Sequence, residues 1–211
     1  MSDFTYEYKD RDKKDMYKGI YETYGWDNTW IERLNNVESK RVFYIGDSIS
    51  AQARRTATVL TKEEILFDGF ATSKNLDNPY FKDAVVLFAE QLIRTDAVLF
   101  NNGLHGWHLS DDEEYGFYYE EMVKFLLERF KGLPLFIVLT TCVTDKGREM
   151  RIIERNKSAV KVAERYKLPI IDLFSVSKEN YHLISQDGVH LTSEGNEVIA
   201  KSIIEAIREK F

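Results

Sequence analysis

From residue 41 onward the chain alternates short apolar runs with longer stretches in which apolar residues recur every three or four positions. The runs at 41–45, 65–67, 97–101, 135–140 and 170–172 are predicted as strands. Runs such as Val42-Phe43-Tyr44-Ile45 carry no polar alternation, which fits strands covered on both faces. The amphipathic stretches near 50–60, 79–93, 111–130, 149–166 and 193–210 are predicted as helices. The third has the clearest start: Ser110-Asp111-Asp112-Glu113 reads as a capping box, with acidic groups set against the positive end of the helix dipole. Gly132 followed by Pro134 stops it. Five strands alternating with helices predict one α/β domain, an open doubly wound parallel sheet with helices on both faces. Before residue 39 the pattern changes. Residues 1–38 are rich in Tyr, Trp and charge, with two weakly helical stretches at 10–21 and 29–35, and read as an N-terminal extension packing on a domain of residues 39–211.

Composition narrows the partners. With 211 residues, 44% of them hydrophobic, the chain can bury one sizeable core but not two large ones. Its formal charge of −6 and the absence of a Lys/Arg block clear of acids argue against nucleic acid. No stretch approaches the roughly 18 apolar residues that span a bilayer, so no membrane partner is expected. The start, Met1-Ser2-Asp3, lacks the parts of a signal peptide, and the expectation is a cytoplasmic protein, although a chain trimmed of its leader would read the same way. The single cysteine, Cys142, follows an apolar run and is expected as a buried small hydrophobe rather than a nucleophile.

The candidate chemistry lies at strand ends. Gly46-Asp47-Ser48 closes the first strand, so Ser48 stands where the following helix begins and backbone N–H groups can stabilise a developing oxyanion. Asn101, Asn102 and His105 follow the third strand, and Asp187-Gly188-Val189-His190 follows the fifth. In a doubly wound sheet these ends converge on one edge. A serine hydroxyl needs a neutral imidazole to take its proton and a carboxylate to fix that imidazole's tautomer; Ser48, His190 and Asp187 can supply all three. Each piece alone also reads as an ordinary turn, and it is the conjunction, in a chain with four histidines, that points to acyl transfer. His105 and His108 make no convincing metal pair, because no acidic or sulfur ligand supports them, and neither metal nor cofactor is expected.

The blocks Val42-Phe43-Tyr44-Ile45-Gly46-Asp47-Ser48-Ile49-Ser50 and Asp187-Gly188-Val189-His190-Leu191-Thr192-Ser193-Glu194-Gly195 resemble the first and last motifs of the SGNH (GDSL-type) hydrolases, a family of esterases, lipases, thioesterases, deacetylases and some acyltransferases. Thr140-Thr141-Cys142-Val143 and Arg155-Asn156 also fit that family's layout, and the resemblance spans about residues 41–211. It implies a three-layer α/β/α flavodoxin-like fold with a five-stranded parallel sheet. It implies Ser48 as nucleophile, His190 as general base and then acid, and Asp187 as the group orienting His190. For the oxyanion hole it implies the Ser48 N–H and a second-motif N–H, either Gly69 or Thr72. The third motif departs from the family: His105 stands where an asparagine is usual, leaving His105, Asn102 or Asn101 as the remaining donor. Asp47, Asn101, Trp107 and His108 are the substrate-binding candidates, Trp107 and His108 lying on the loop after the third strand.

These readings lead to a serine esterase acting on short acyl, above all acetyl, esters of a small-molecule or carbohydrate alcohol. Transfer of the acyl group to a sugar hydroxyl, or a carbohydrate-binding homologue with impaired catalysis, are the alternatives left open. The N-terminal extension could close the pocket or mediate a homo-oligomer.

Overall fold

The computed structural model describes residues 24–109 and 112–210. Six strands are formed among them: β1 (Asp27–Trp30), β2 (Lys40–Gly46), β3 (Ile65–Thr72), β4 (Ala97–Phe100), β5 (Leu135–Val138) and β6 (Ile170–Ile171). The helices are α1 (Ser48–Leu60), α2 (Phe81–Ala89), α3 (Asp112–Arg129), α4 (Lys146–Tyr166), α5 (Leu173–Glu179) and α6 (Ser193–Arg208). The strands form one sheet in the order β1-β3-β2-β4-β5-β6.

Strands β2 to β6 are parallel, as the apolar runs predict. Alternate residues serve two cores. Val42 and Tyr44 join Phe67, Leu99, Ala53, Ala57, Ile199 and Ile203 on the face covered by α1 and α6. Phe43 and Ile45 join Phe70, Val98, Phe100, Phe81, Val85 and Met122 on the face covered by α2 and α3. That two-sided burial is why these strands carry no polar alternation. The chain leaves β2 for β3 on one side and returns to β4 on the other, so the order reverses between β2 and β4. Ligands in such sheets bind beyond the carboxyl ends at this crevice.

Three expectations are corrected. The sheet has six strands rather than five and is mixed, because Asp27–Trp30 pairs antiparallel with β3 at the edge. The helix expected at 29–35 is therefore absent; Thr29 and Trp30, a β-branched and an aromatic residue, complete the unpaired edge of β3 instead. β3 itself runs to Thr72 rather than stopping near Phe67, since β1 supplies a second partner along its later half. A short helix, α5, also follows β6, capped by the Asp172 carboxylate accepting from the Ser175 N–H at 2.9 Å. The helical stretch expected at 10–21 and the capping residues Ser110 and Asp111 lie outside the described residues.

The segment between β1 and β2 is tied down by a buried ion pair. Arg41 Nη1 lies 2.8 Å from Asp68 Oδ1, with both side chains 1% exposed. Arg41 Nη2 donates to the carbonyls of Glu32, Arg33 and Asn36, and Asp68 Oδ1 accepts the Glu32 N–H at 2.8 Å. Arg54, from α1, donates to the Asn28 side chain, holding β1 from beneath.

Candidate active site

The turn after β2 presents Ser48. Gly46 has no room for a side chain, because a Cβ there would lie 2.7 Å from Ser50 Cβ. Asp47 caps α1, its Oδ1 accepting the Ile49 N–H at 2.9 Å. Ser48 is thus the first helical residue, and its N–H belongs to the first turn, which has no intrahelical acceptor. Burial pushes the Asp47 carboxyl up, an effect opposed by nearby His105 and by the Ile49 and Ser50 backbone hydrogen bonds.

The loop before α6 brings the other two groups. Gly188 adopts a left-handed φ of 76°, and a Cβ there would lie 2.2 Å from Thr144 Oγ1. Its carbonyl accepts the Thr144 N–H at 2.9 Å, fastening the loop to the segment after β5. The turn wraps the chain around the Asp187 carboxylate. Oδ1 accepts the Val189 and His190 N–H groups at 2.9 Å each and the Ser185 hydroxyl at 2.8 Å. Oδ2 lies 2.6 Å from His190 Nδ1. The Val189 N–H first, then the His190 ring, the His190 N–H and the Ser185 hydroxyl, hold the Asp187 carboxyl well below the usual carboxylate range. His190 Nε2 lies 2.8 Å from Ser48 Oγ. With Nδ1 as the protonated nitrogen donating to Asp187, Nε2 is left as acceptor for the Ser48 hydroxyl.

These groups open onto a cavity of about 520 Å³ lined by Ser48, Asp187, His190, Leu104, His105, Val143 and Val189, with Trp26, Trp107 and Arg148 on its walls. The loop bearing His105 and Trp107 is held by two arginines of α4. Arg155, 2% exposed, donates to the carbonyls of Gly103, His105, Gly106 and Leu109, while Arg151 donates to those of Trp107 and Leu109. Both guanidiniums also stack on the Trp107 ring, at 4.9 Å for Arg151 and 4.7 Å for Arg155. The Trp26 and His105 rings meet edge to face, 5.8 Å apart.

Other predicted site residues fall elsewhere. Asn101 donates to the Val138 carbonyl and to Thr140 Oγ1, joining the ends of β4 and β5. Asn102 donates to the Lys74 carbonyl, and its own carbonyl accepts the Tyr115 hydroxyl. Both are buried in loop contacts, and neither lines the cavity. Gly69 is corrected as an oxyanion donor: it lies inside β3, paired with Trp30 on one side and Tyr44 on the other, so its N–H belongs to the sheet. Thr72 ends that strand, its hydroxyl 2.5 Å from Asp27 Oδ1, and does not line the cavity. His108 pairs with Asp77 at 2.8 Å, and Asp47 is buried at its cap; both are outside the lining. Cys142 is buried, with desolvation raising its thiol above the ordinary range. Among the described residues no cluster of three or more His, Cys, Asp or Glu could hold a metal ion. No described helix is long and apolar enough to cross a membrane.

Trp26, Leu104, Val143, Arg148 and Val189 are the lining residues that sequence reasoning did not assign to the site, and Trp26 and Arg148 are the two that bear most on a substrate. The Trp26 signal was present as an aromatic in the extension, but its place depends on β1 pairing with β3. Arg148 carried no local signal, since a basic residue near a helix start reads as a solvated surface group.

No protein-family model matches the chain, and no curated protein matches it either. Solved structures do. They share this chain's fold and include GDSL-like lipases and acylhydrolases, in line with the fold class that the sequence resemblance implied. A member of the lipolytic G-D-S-L family from Veillonella parvula is similar with a TM-score of 0.64 and 15% identity, over 79% of this chain and 97% of that one. An acetyl xylan esterase from Geobacillus stearothermophilus is similar with a TM-score of 0.60 and 16% identity, over 80% of this chain and 94% of that one. The C-terminal catalytic domain of the Streptococcus pneumoniae peptidoglycan O-acetyltransferase A is similar with a TM-score of 0.63 and 17% identity, over 82% and 94%.

Proposed function

We propose that the protein is a serine esterase that removes short acyl groups, acetyl above all, from a polar, carbohydrate-like alcohol. The observation that carries this reading is the continuous hydrogen-bonded series from Ser48 Oγ through the His190 ring to Asp187, facing an open cavity. His190 Nε2 accepts the Ser48 proton as Oγ attacks the ester carbonyl. The resulting imidazolium is stabilised by Asp187, which is ionised already and takes no proton. The Ser48 N–H and the His105 ring are the donors assigned to the oxyanion, His105 standing in for the missing asparagine. His190 then gives its proton to the departing alcohol, and a water molecule, deprotonated by the same nitrogen, releases the acyl group and regenerates Ser48. Trp26 and Trp107 supply apolar wall to the part of the cavity left for the alcohol.

The pH dependence follows from the two partners. A general base must be neutral, so protonating His190 removes the acceptor and the rate falls toward acid pH. Asp187, held low by its four hydrogen bonds, stays charged throughout that fall. The acid limb of kcat/KM is therefore expected to follow one proton, and a flat profile between about pH 5 and 8 would exclude a histidine base.

The likeness to an O-acetyltransferase domain supports a second reading, in which a sugar hydroxyl replaces water as the acceptor. Product analysis of an acetyl ester with and without excess carbohydrate separates the two. Free acetate in undiminished amount is the expected result; acetylated carbohydrate at its expense would favour the transferase.

A further inference from the structure

We propose that the alcohol part of the substrate carries an anionic oxygen group, a carboxylate or a phosphate, bound by Arg148. The inference rests on the esterase reading of the same cavity and adds the charge of its substrate. An acetyl group fills only a small part of about 520 Å³, so the remaining space, walled by Trp26, Trp107 and Arg148, is left to the alcohol.

Arg148 differs from the other arginines around the loop. Arg151 and Arg155 spend their guanidiniums on backbone carbonyls and on the Trp107 face. The Arg148 backbone N–H donates to the Asp145 carboxylate, but its guanidinium makes no hydrogen bond or ion pair among the described residues. Nor does the cavity supply one. Among the described residues its single acidic lining residue is Asp187, whose Oδ1 is taken by Ser185, Val189 and His190, and whose Oδ2 is taken by the His190 ring. Glu149, the acid beside Arg148, faces Lys178 at 2.8 Å. The cavity thus presents a planar, permanently charged fork with nothing among the described residues to match it, which is the geometry that grips carboxylate and phosphate oxygens in pairs. The chain as a whole is negative, at −6, so an anionic ester would be repelled from most of its surface. A local cation reverses that at the mouth of the site.

The test uses one aromatic scaffold in three forms: 4-acetoxybenzoate, 4-acetoxyphenyl phosphate and the neutral methyl 4-acetoxybenzoate. The unaltered protein is expected to favour the two anions in kcat/KM by about tenfold at low salt, an advantage that shrinks as salt screens the pair. The phosphate arm against the carboxylate arm tells which anion the fork prefers. Arg148→Gln should erase the ratio of anionic to neutral ester, Arg148→Glu should invert it, and Arg148→Lys should keep part of it, since a point charge survives without the fork. Binding of 4-hydroxybenzoate against methyl 4-hydroxybenzoate to the Ser48→Ala protein, by calorimetry, reads the same preference without turnover. Unchanged ratios in Arg148→Gln and Arg148→Glu that still hydrolyse the neutral ester overturn the anion site and leave the esterase standing. Selective binding of the anion, lost in a Ser48→Ala/Arg148→Gln protein, with no ester hydrolysed by the unaltered one, supports the anion site and removes the esterase. Equal binding of the acid and its methyl ester would also overturn the anion site.

Discussion

Ser48→Ala is expected to lower p-nitrophenyl acetate turnover by about 10⁴-fold to 10⁶-fold, leaving only what the cavity and oxyanion donors achieve without a nucleophile. The loss should fall on kcat, because Oγ forms its bond in the reaction rather than in the resting complex. A fluorophosphonate probe should label the unaltered protein at Ser48 and leave the alanine variant unlabelled. The size of the effect comes from the geometry: the imidazole stands 2.8 Å from this oxygen. Ser50, two residues further on, is buried and donates to the Asp47 carbonyl at 2.7 Å, so it offers no substitute. Turnover retained in Ser48→Ala would end the triad proposal.

Asp68→Ala is expected to cost about 3–5 kcal/mol of folding stability, because it leaves the Arg41 guanidinium buried without its counter-charge. Urea unfolding at constant m reads the loss directly. The Arg41→Met/Asp68→Ala double variant should recover part of it, since the charge that suffers most is then gone. Recovery should be incomplete, because Arg41 also satisfies the carbonyls of Glu32, Arg33 and Asn36. A loss in Asp68→Ala below about 1 kcal/mol would mean that water reaches the guanidinium, placing the pair in the class of weak surface ion pairs.

The parallel core was legible because its signal is local. Val42 to Ile45, Ala97 to Phe100 and Leu135 to Val138 are apolar on both faces, and the helices between them keep their own period. Ser48, Asp187 and His190 were legible as two short motifs, the first closing β2 and the second lying beyond α5, and the structure places them within hydrogen-bond reach of one another. What failed depends on partners distant in sequence. Nothing in Asp27 to Trp30 announces an edge strand until β3 is present to pair with it. Gly69 looked available as a donor because β3 was expected to stop two residues before it, and the added partner is what absorbs its N–H. Asn101 and Asn102, expected as oxyanion donors or substrate contacts, are spent on the loop, as are the arginines of α4 that clamp it. Arg148 could be separated from those arginines only by seeing which carbonyls each one reaches.

The reversed ribbon at the sheet margin carries a consequence for how such a molecule can diversify. Trp26 reaches the cavity from chain that precedes every parallel strand, and is held there by the Ser73 hydroxyl and N–H rather than by the nucleophile's own helix. Residues in that ribbon can therefore change to admit a different alcohol while the proton-transfer groups keep their places. On the proposed esterase reading, the Trp26 wall that meets the alcohol and the groups that would break the ester lie on separate stretches of polypeptide.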